Sequence, residues 1–493
     1  MAAGGLSEFI ASLEQAGELR RIARPVSVEL EITEIADRCM KSEGGGPALV
    51  FETPVLPGGR TAELPLAINL FGSERRMAMA LGVRDVEEIA LRIQDLLEMK
   101  PPAGLKEKLL LIPQLAEFAR FPPRTVRGKP ACQQTVLRDA EVDLEALPHL
   151  RCWPDDAGRY ITLPQVISRD PATGRRNVGM YRIQVLDSRR LAMHWQRHKV
   201  GAAHWREMAR RGERMPVCIA LGGDPAAVYS ASAPLPPNID EYLFAGFLRR
   251  EPITVARAVT SDLEVPAEAD VVIEGWIDPS ENLVTEGPFG DHTGFYSEAD
   301  LYPCVHVEAI TRRDGALYPA TIVGRPPMED YWLGHATERV FLPLLRLTLP
   351  EVVDYHMPAE GIFHNLVFVA IRKQYPGHAY KVMNGLWGQG LMSLAKVIVV
   401  VDDWVNVRDT REAWWVALNH IDPERDVLFS RGPVDVLDHA SRAFTYGSKM
   451  GIDATTKWPE EGFQRNWPPV IEMDAGTRAA IDGMWADLGI ELG

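Results

Sequence analysis

A chain of 493 residues is too long for one small core and points to about two to four domains. Its 46% hydrophobic and 25% charged residues are ordinary for a soluble globular protein, and a formal net charge of −15 argues against nucleic-acid binding and against general adhesion to anionic lipid. The five cysteines, Cys39, Cys132, Cys152, Cys218 and Cys304, are scattered without a C-x-x-C pair, which argues against a disulfide framework or structural zinc and fits a reducing cytosol.

Met1 to Glu8 lacks a basic stretch followed by an apolar one, so no signal peptide is expected. Leu6–Ala16 reads as a helix with Phe9, Ile10 and Leu13 on one face and Gly17 as its stop. Short apolar runs at Ala48–Phe51 and Leu66–Leu70 read as strands, and Gly44-Gly45-Gly46 as a turn, because it precedes a strand where a phosphate loop would follow one. Val86–Met99 reads as a second helix with Ile89, Ile93, Leu96 and Leu97 on one stripe. This mixed α/β region closes near Lys100-Pro101-Pro102 and Phe121-Pro122-Pro123.

From about residue 125 to 320 short strands dominate: Gln165–Ile167, Gly179–Val185, Leu191–His194, Val217–Leu221, Val271–Ile277 and Val305–Arg312. Turn residues separate them, as in a barrel or sandwich. Beyond about 325 helices alternate with buried strands. Val397–Val401 is continuous and β-branched, like a strand covered on both faces, and the helix Arg411–Ile421 follows. The tail Thr477–Leu488 is amphipathic, with Ile481, Met484, Trp485 and Leu488 on one side, so it is expected to dock, for example on another subunit. The apolar runs are too short to span a bilayer.

Three segments carry candidate chemistry. Asn177-Val-Gly-Met-Tyr-Arg182 leads into Met193-His194-Trp195-Gln196-Arg197-His198-Lys199, read as a hairpin turning at Asp187-Ser188. Amide oxygen and imidazole can ligate a divalent metal, and Arg and Lys can hold phosphate; the same residues also make a solvated polar hairpin face. Asn238-Ile-Asp240-Glu241 opens a helix, where Asp240 or Asn238 can cap and Glu241 sits in the first turn; plain capping explains such a glutamate equally. Glu286-Gly-Pro-Phe-Gly-Asp291-His292-Thr293-Gly294 holds two carboxylates close on an irregular loop, so one is expected to keep a proton near neutrality; a solvated glycine-rich turn is the plainer reading.

Together with Asp262-Leu-Glu-Val-Pro266, Gly324-Arg-Pro-Pro327, Lys373-Gln-Tyr-Pro-Gly-His378 and Gly447-Ser-Lys-Met-Gly-Ile-Asp453-Ala-Thr-Thr-Lys457-Trp, these segments resemble, over nearly the whole chain, the UbiD family of prenylated-FMN-dependent decarboxylases. The resemblance implies an α/β multidomain fold: an N-terminal α/β domain (1–122), a central split β-barrel of flavin-binding type (123–320), a C-terminal α/β domain (321–475) and an oligomerisation helix (476–493). It implies prenylated FMN, supplied by a flavin prenyltransferase, with a divalent metal, by preference Mn2+, and K+. The metal ligands fall on Asn177, His198 and Glu241. His194 lies four residues before His198; His198 is preferred because a basic residue, Lys199, follows it. Cofactor contacts fall on Met180, Tyr181, Arg182, His194, Trp195, Gln196, Lys199 and Val200. The acid–arginine–acid network falls on Glu286, Arg182 and Asp291, with Asp291 as proton donor, Arg182 orienting carboxylates and Glu286 fixing Arg182.

The reaction so implied is non-oxidative loss of carbon dioxide from an aromatic acid, with the flavin as electron sink. The branch resembled acts in quinone pathways, on prenylated hydroxybenzoate or a hydroxynaphthoate. Lys457-Trp-Pro-Glu-Glu-Gly-Phe463 and Met193-His-Trp-Gln196 resemble the menaquinone side. Phe289, Tyr331 and Trp332 are candidates for a substrate pocket or for core. A cytoplasmic dimer or hexamer with at most peripheral contact to the inner membrane is expected. Other readings are a UbiD-type enzyme acting on a different aromatic or heteroaromatic acid, a metal-dependent hydrolase using Asn177, His198 and Glu241, and a flavin-binding subunit of a larger carboxylase.

Overall fold

The computed structural model describes residues 4–98, 121–196, 199–236 and 239–490. The predicted closing prolines at Lys100-Pro101-Pro102, and Met99, lie outside the described residues, as do Arg197, His198 and Asn238. Near the N-terminus α1 (Leu6–Gln15) buries the expected Leu6, Phe9, Ile10 and Leu13. Strands β1 (Leu19–Ile22), β2 (Ala48–Phe51) and β3 (Leu66–Ile68) form a sheet in that order. The glycine run before β2 is a tight turn. Helix α2 (Glu87–Leu97) buries Ile89 and Ile93, whereas Leu97 is exposed, so its apolar stripe is shorter than predicted.

The central region is a sheet of short strands: β4 (Thr135–Arg138), β5 (Arg159–Ile161), β6 (Gln165–Arg169), β7 (Arg176–Gly179), β8 (Ile183–Val185), β9 (Arg190–Met193), β10 (Met215–Leu221), β11 (Val271–Ile277) and β12 (Cys304–Arg312). Their order is β7-β6-β10-β11-β12-β9-β8-β5, with β4 also paired to β12. The sheet must curl. A flat one would hold β7 and β8 about 29 Å apart at about 4.8 Å per strand. The chain between them, Gly179 to Ile183, extends no more than about 14 Å. The predicted strand Gly179–Val185 is therefore two strands, broken at Met180–Arg182 where the chain crosses the split. Asn177 lies in β7, outside the hairpin, whose strands are β8 and β9. Helices α3 (Val200–Arg211) and α4 (Glu241–Arg249) lie beside β7.

Strand β13 (Tyr318–Ala320) leaves the central region and pairs parallel with β3, extending the N-terminal sheet. The long α5 (Glu329–Thr348) packs on α2. The last region is a sheet of β14 (Val352–His356), β15 (Leu366–Ile371), β16 (Val397–Asp402), β17 (Val427–Pro433) and β18 (Tyr446–Asp453), in the order β14-β15-β16-β18-β17. As predicted, β16 is covered on both faces, with Ile398 to Val401 buried between parallel neighbours. It is followed by α6 (Thr410–His420). The tail forms α7 (Ala475–Met484) and a final 3-10 turn, Trp485–Leu488. It buries nothing against its own chain: Ile481, Met484, Trp485 and Leu488 stay exposed, so the expected docking is not made within this subunit. All five cysteines are free. Among the described residues no helix is long and apolar enough to cross a membrane.

Candidate functional site

The curl brings together at the split the segments that the sequence keeps apart. Arg182 donates from Nε to Glu286 Oε1 at 2.9 Å and from Nη2 to Glu286 Oε2 at 3.0 Å. The same Nη2 reaches Ser297 Oγ at 3.0 Å, and Nη1 donates to Asp291. The guanidinium lies over the Phe289 ring, 4.9 Å from its centroid. Phe289 is thus a buried floor under Arg182. The loop that carries both acids is held by further carboxylate and amide bonds: Gly290 N–H donates to Asp156 and Gly287 N–H to Gln184. Residue 290 must be glycine, because a Cβ there would stand 2.2 Å from the Trp153 ring.

One arginine between two buried acids changes their charge state. Burial pushes Glu286 up, but His194 and Arg182 outweigh it and hold the carboxyl below its usual range. Asp291 is likewise pushed up by burial and brought well down by Arg182 and His292. Both carboxyls are thus held low, which disfavours the proton expected on one of them and favours His292 as its holder, whose Nδ1 is 2.9 Å from Asp291. Burial lowers the affinity of His292 for a proton, and Asp291 more than restores it. Asp330 faces the same spot, and burial pushes it up to about 7. His292 carried no sequence signal beyond its place next to Asp291 in the acid loop, and Asp330 carried none.

A second cluster lies where β7 meets α4. Asp240 caps α4 by accepting from Tyr242 and Leu243, and it also accepts from Arg176 of β7 at 2.9 Å. That tie sets Glu241 beside β7, where Val178 N–H donates to its carboxylate at 3.0 Å. Asn177 is the strand residue next to that bonded amide. Burial pushes Glu241 up to about 7, more than the Val178 amide and the nearby Arg176 bring it down. The Met180–Arg182 link and the His194–Gln196 segment run side by side, with Tyr181 and Trp195 edge to face at 6.3 Å. A Cβ at position 179 would stand 2.3 Å from the Tyr181 hydroxyl, so glycine is required there. Lys199 is the N-cap residue of α3, and Val200 begins that helix with its side chain half exposed. Burial lowers the proton affinity of Lys199.

Buried polar atoms without partners cluster in these same segments: Asn177 Nδ2, His194 Nε2 and Trp195 Nε1. Burial and Arg182 keep His194 neutral, and its Nδ1 is already committed to Glu286 at 2.8 Å. Orphaned atoms of this kind ask for a bound polar group. Asn177 and Glu241 offer oxygen donors to a hard cation, and Lys199 with the first turn of α3 offers a phosphate site. The residues present fit a flavin mononucleotide bridged by a metal. Of the predicted ligands, His198 lies outside the described residues.

Three family models match in sequence order. One described as the 3-octaprenyl-4-hydroxybenzoate carboxy-lyase N-terminal domain covers residues 10–95, the Rift-related domain of the same enzyme covers 124–326 and its C-terminal domain covers 331–454. A chain from Aquifex aeolicus is 52% identical over 99% of both sequences, and one from Archaeoglobus fulgidus is 48% identical over 99% of both. Among solved structures, the vanillic acid decarboxylase of Sedimentibacter hydroxybenzoicus in closed form superposes with a TM-score of 0.84 at 26% identity, covering 99% of this chain and 100% of that one. The UbiD-class enzyme HmfF of Pelotomaculum thermopropionicum, in complex with FMN, superposes with a TM-score of 0.78 at 29% identity, covering 94% and 97%.

Proposed function

The chain belongs to the UbiD family, and from that premise we propose that it is a carboxy-lyase releasing carbon dioxide from an aromatic acid with prenylated FMN. The observation that carries this reading is the buried Glu286–Arg182–Asp291 network beside the unsatisfied atoms of Asn177, His194 and Trp195. Asn177, His198 and Glu241 would hold a divalent cation, Mn2+ by preference, with K+ nearby. Lys199 and the α3 N-terminus would hold the cofactor phosphate, and Met180 to Arg182 with His194 to Gln196 would flank the ring system. When bound, the cofactor supplies the electron sink that the departing carboxylate requires.

The chain's own residues do the rest. Arg182 positions the substrate carboxylate, because its guanidinium is fixed by Glu286 and cannot turn away. Asp291 carries the proton to the ring carbon. It is ionised while Arg182 is beside it, so His292 is the store from which it is recharged. Phe289 beneath Arg182 excludes water from that side, which strengthens each of these interactions. A substrate of the quinone pathways, a prenylated hydroxybenzoate or a hydroxynaphthoate, fits the branch that the sequence resembles. The similarity to a vanillic acid decarboxylase supports a second reading, a smaller hydroxylated aromatic acid. The exposed apolar side of α7 supports a homodimer or hexamer formed through that helix.

The deciding experiment is co-expression with a flavin prenyltransferase, mass spectrometry of the bound cofactor, and a screen of aromatic acids for carbon dioxide release. Bound prenylated FMN with turnover of one class of acid names the substrate. Metal without flavin, together with hydrolysis, would replace this reading by the metal-dependent hydrolase. Activity that required added subunits would make the chain part of a larger carboxylase.

A further inference from the structure

Away from the split, two histidines close on one buried glutamate. His335 and Glu338 are three residues apart on α5, hence on one face of that helix. His356 ends β14 and comes to the same place from the neighbouring sheet. His335 Nδ1 and His356 Nδ1 each lie 2.9 Å from the same oxygen, Glu338 Oε1. The three groups offer one ligand atom each, all within 4.8 Å of one another.

The charges around this cluster do not cancel. Arg339 pairs with Asp354 at 2.6 Å and stands 3.6 Å from Glu87, while Arg408 pairs with the same two acids. Two arginines and two acids thus neutralise each other, although Arg339 Nε also approaches Glu338 at 3.4 Å. Glu338, fully buried, is left with two imidazoles and the Met357 N–H as its partners. Meanwhile His335 Nδ1 is buried without an aligned hydrogen bond. A buried charge is ordinarily paired or bound to metal. Ligands about 2.1 Å from a tetrahedral cation lie about 3.4 Å apart, which this cluster approaches already.

We propose that His335 Nδ1, Glu338 Oε1 and His356 Nδ1 form a site for a first-row divalent cation, distinct from the Asn177–Glu241 position. Two imidazoles and one carboxylate suit Zn2+ or Co2+, and three protein ligands leave a fourth position open. His356 also lines a cavity of about 400 Å³ between the 40–45 loop and the C-terminal region, together with Tyr331, Trp332 and Pro358. That cavity gives the cation a way in and a place for water or a small carboxylate as the exchangeable ligand. Tyr331 and Ala359 also line a smaller cavity that reaches His292 and Asp330.

The test uses the full-length chain with Glu241→Ala, which removes the other proposed site, stripped with chelator and titrated with Co2+ alone. One equivalent of Co2+ is expected, with the visible absorption of a four-coordinate ion. His335→Leu and His356→Asn, each added to that background, should weaken binding at least about tenfold. His335 is partly exposed, so its replacement is tolerated and decides the matter alone should His356→Asn fail to fold. No bound Co2+ in the Glu241→Ala protein, or equal affinity after His335→Leu, overturns the proposal.

Discussion

Arg182 and Glu286 stand 104 positions apart in the chain and meet in a side-on, two-bond ion pair of 2.9 and 3.0 Å. Glu286 is fully buried, and its second neighbour, His194, is neutral. Arg182 is therefore the cation of Glu286, while Asp291 also faces His292. Arg182→Leu leaves the buried Glu286 carboxylate without a cation and is expected to cost about 3–5 kcal/mol in denaturant unfolding, the usual result of removing one partner of a buried pair. A cost below about 1 kcal/mol would show that the acids take up protons and manage without the arginine.

Asp291→Asn keeps the size and the Arg182 contact but cannot deliver a proton. It should bind cofactor and metal as wild type does, while turnover falls by a factor on the order of 10² or more. Deuterium exchange at the ring position of the decarboxylated product needs the same transfer and should fall with it. Wild-type rates of both in the variant would move the donor role to another group, with Glu286 next.

Glu241→Ala removes the half-buried carboxylate that the Arg176–Asp240 tie holds against the Val178 amide of β7. The folded variant should carry little metal at this position and hold flavin weakly, as measured by elemental analysis after gel filtration in chelator together with flavin absorbance. Full metal and flavin retention would rule out Glu241 as a ligand. Replacing His194 and His198 separately should cost metal only for His198.

The pH dependence of stability follows from signs already given. His292 binds its proton more tightly in the folded chain, so its contribution is complete below about pH 6.5 and is lost as pH rises through the higher folded value. Glu286 and Asp291 bind theirs less tightly; their contribution is complete above about pH 4 and is lost as pH falls. His292→Asn should flatten the alkaline side of a melting-temperature profile and leave the acid side in place. An unchanged alkaline decline would assign it to another group.

Removal of residues 477–493 deletes most of α7 and its exposed Ile481, Met484, Trp485 and Leu488. Light scattering should then find a smaller or aggregating species. The same assembly in the truncated chain would show that α7 plays no part between subunits.

The sequence by itself determined what is local or carried by motif. Periodicity placed α1 and α6 within one or two residues and marked β16 as covered on both faces, because a helix or a buried strand writes its burial into neighbouring positions. The dispersed motifs marked the family and, with it, Arg182, Glu286 and Asp291. Only the tertiary structure decided the rest. Whether Asn177 joins the hairpin or a strand six places away in the sheet depends on strand order, which no single strand encodes. Which group favours the proton was not legible, because charge state depends on burial and on partners such as His292 and Arg182, and spacing along the loop records neither. His335, Glu338 and His356 carried no motif at all: α5 supplies two of them and β14 the third, and only the packing of that helix on that sheet makes them neighbours.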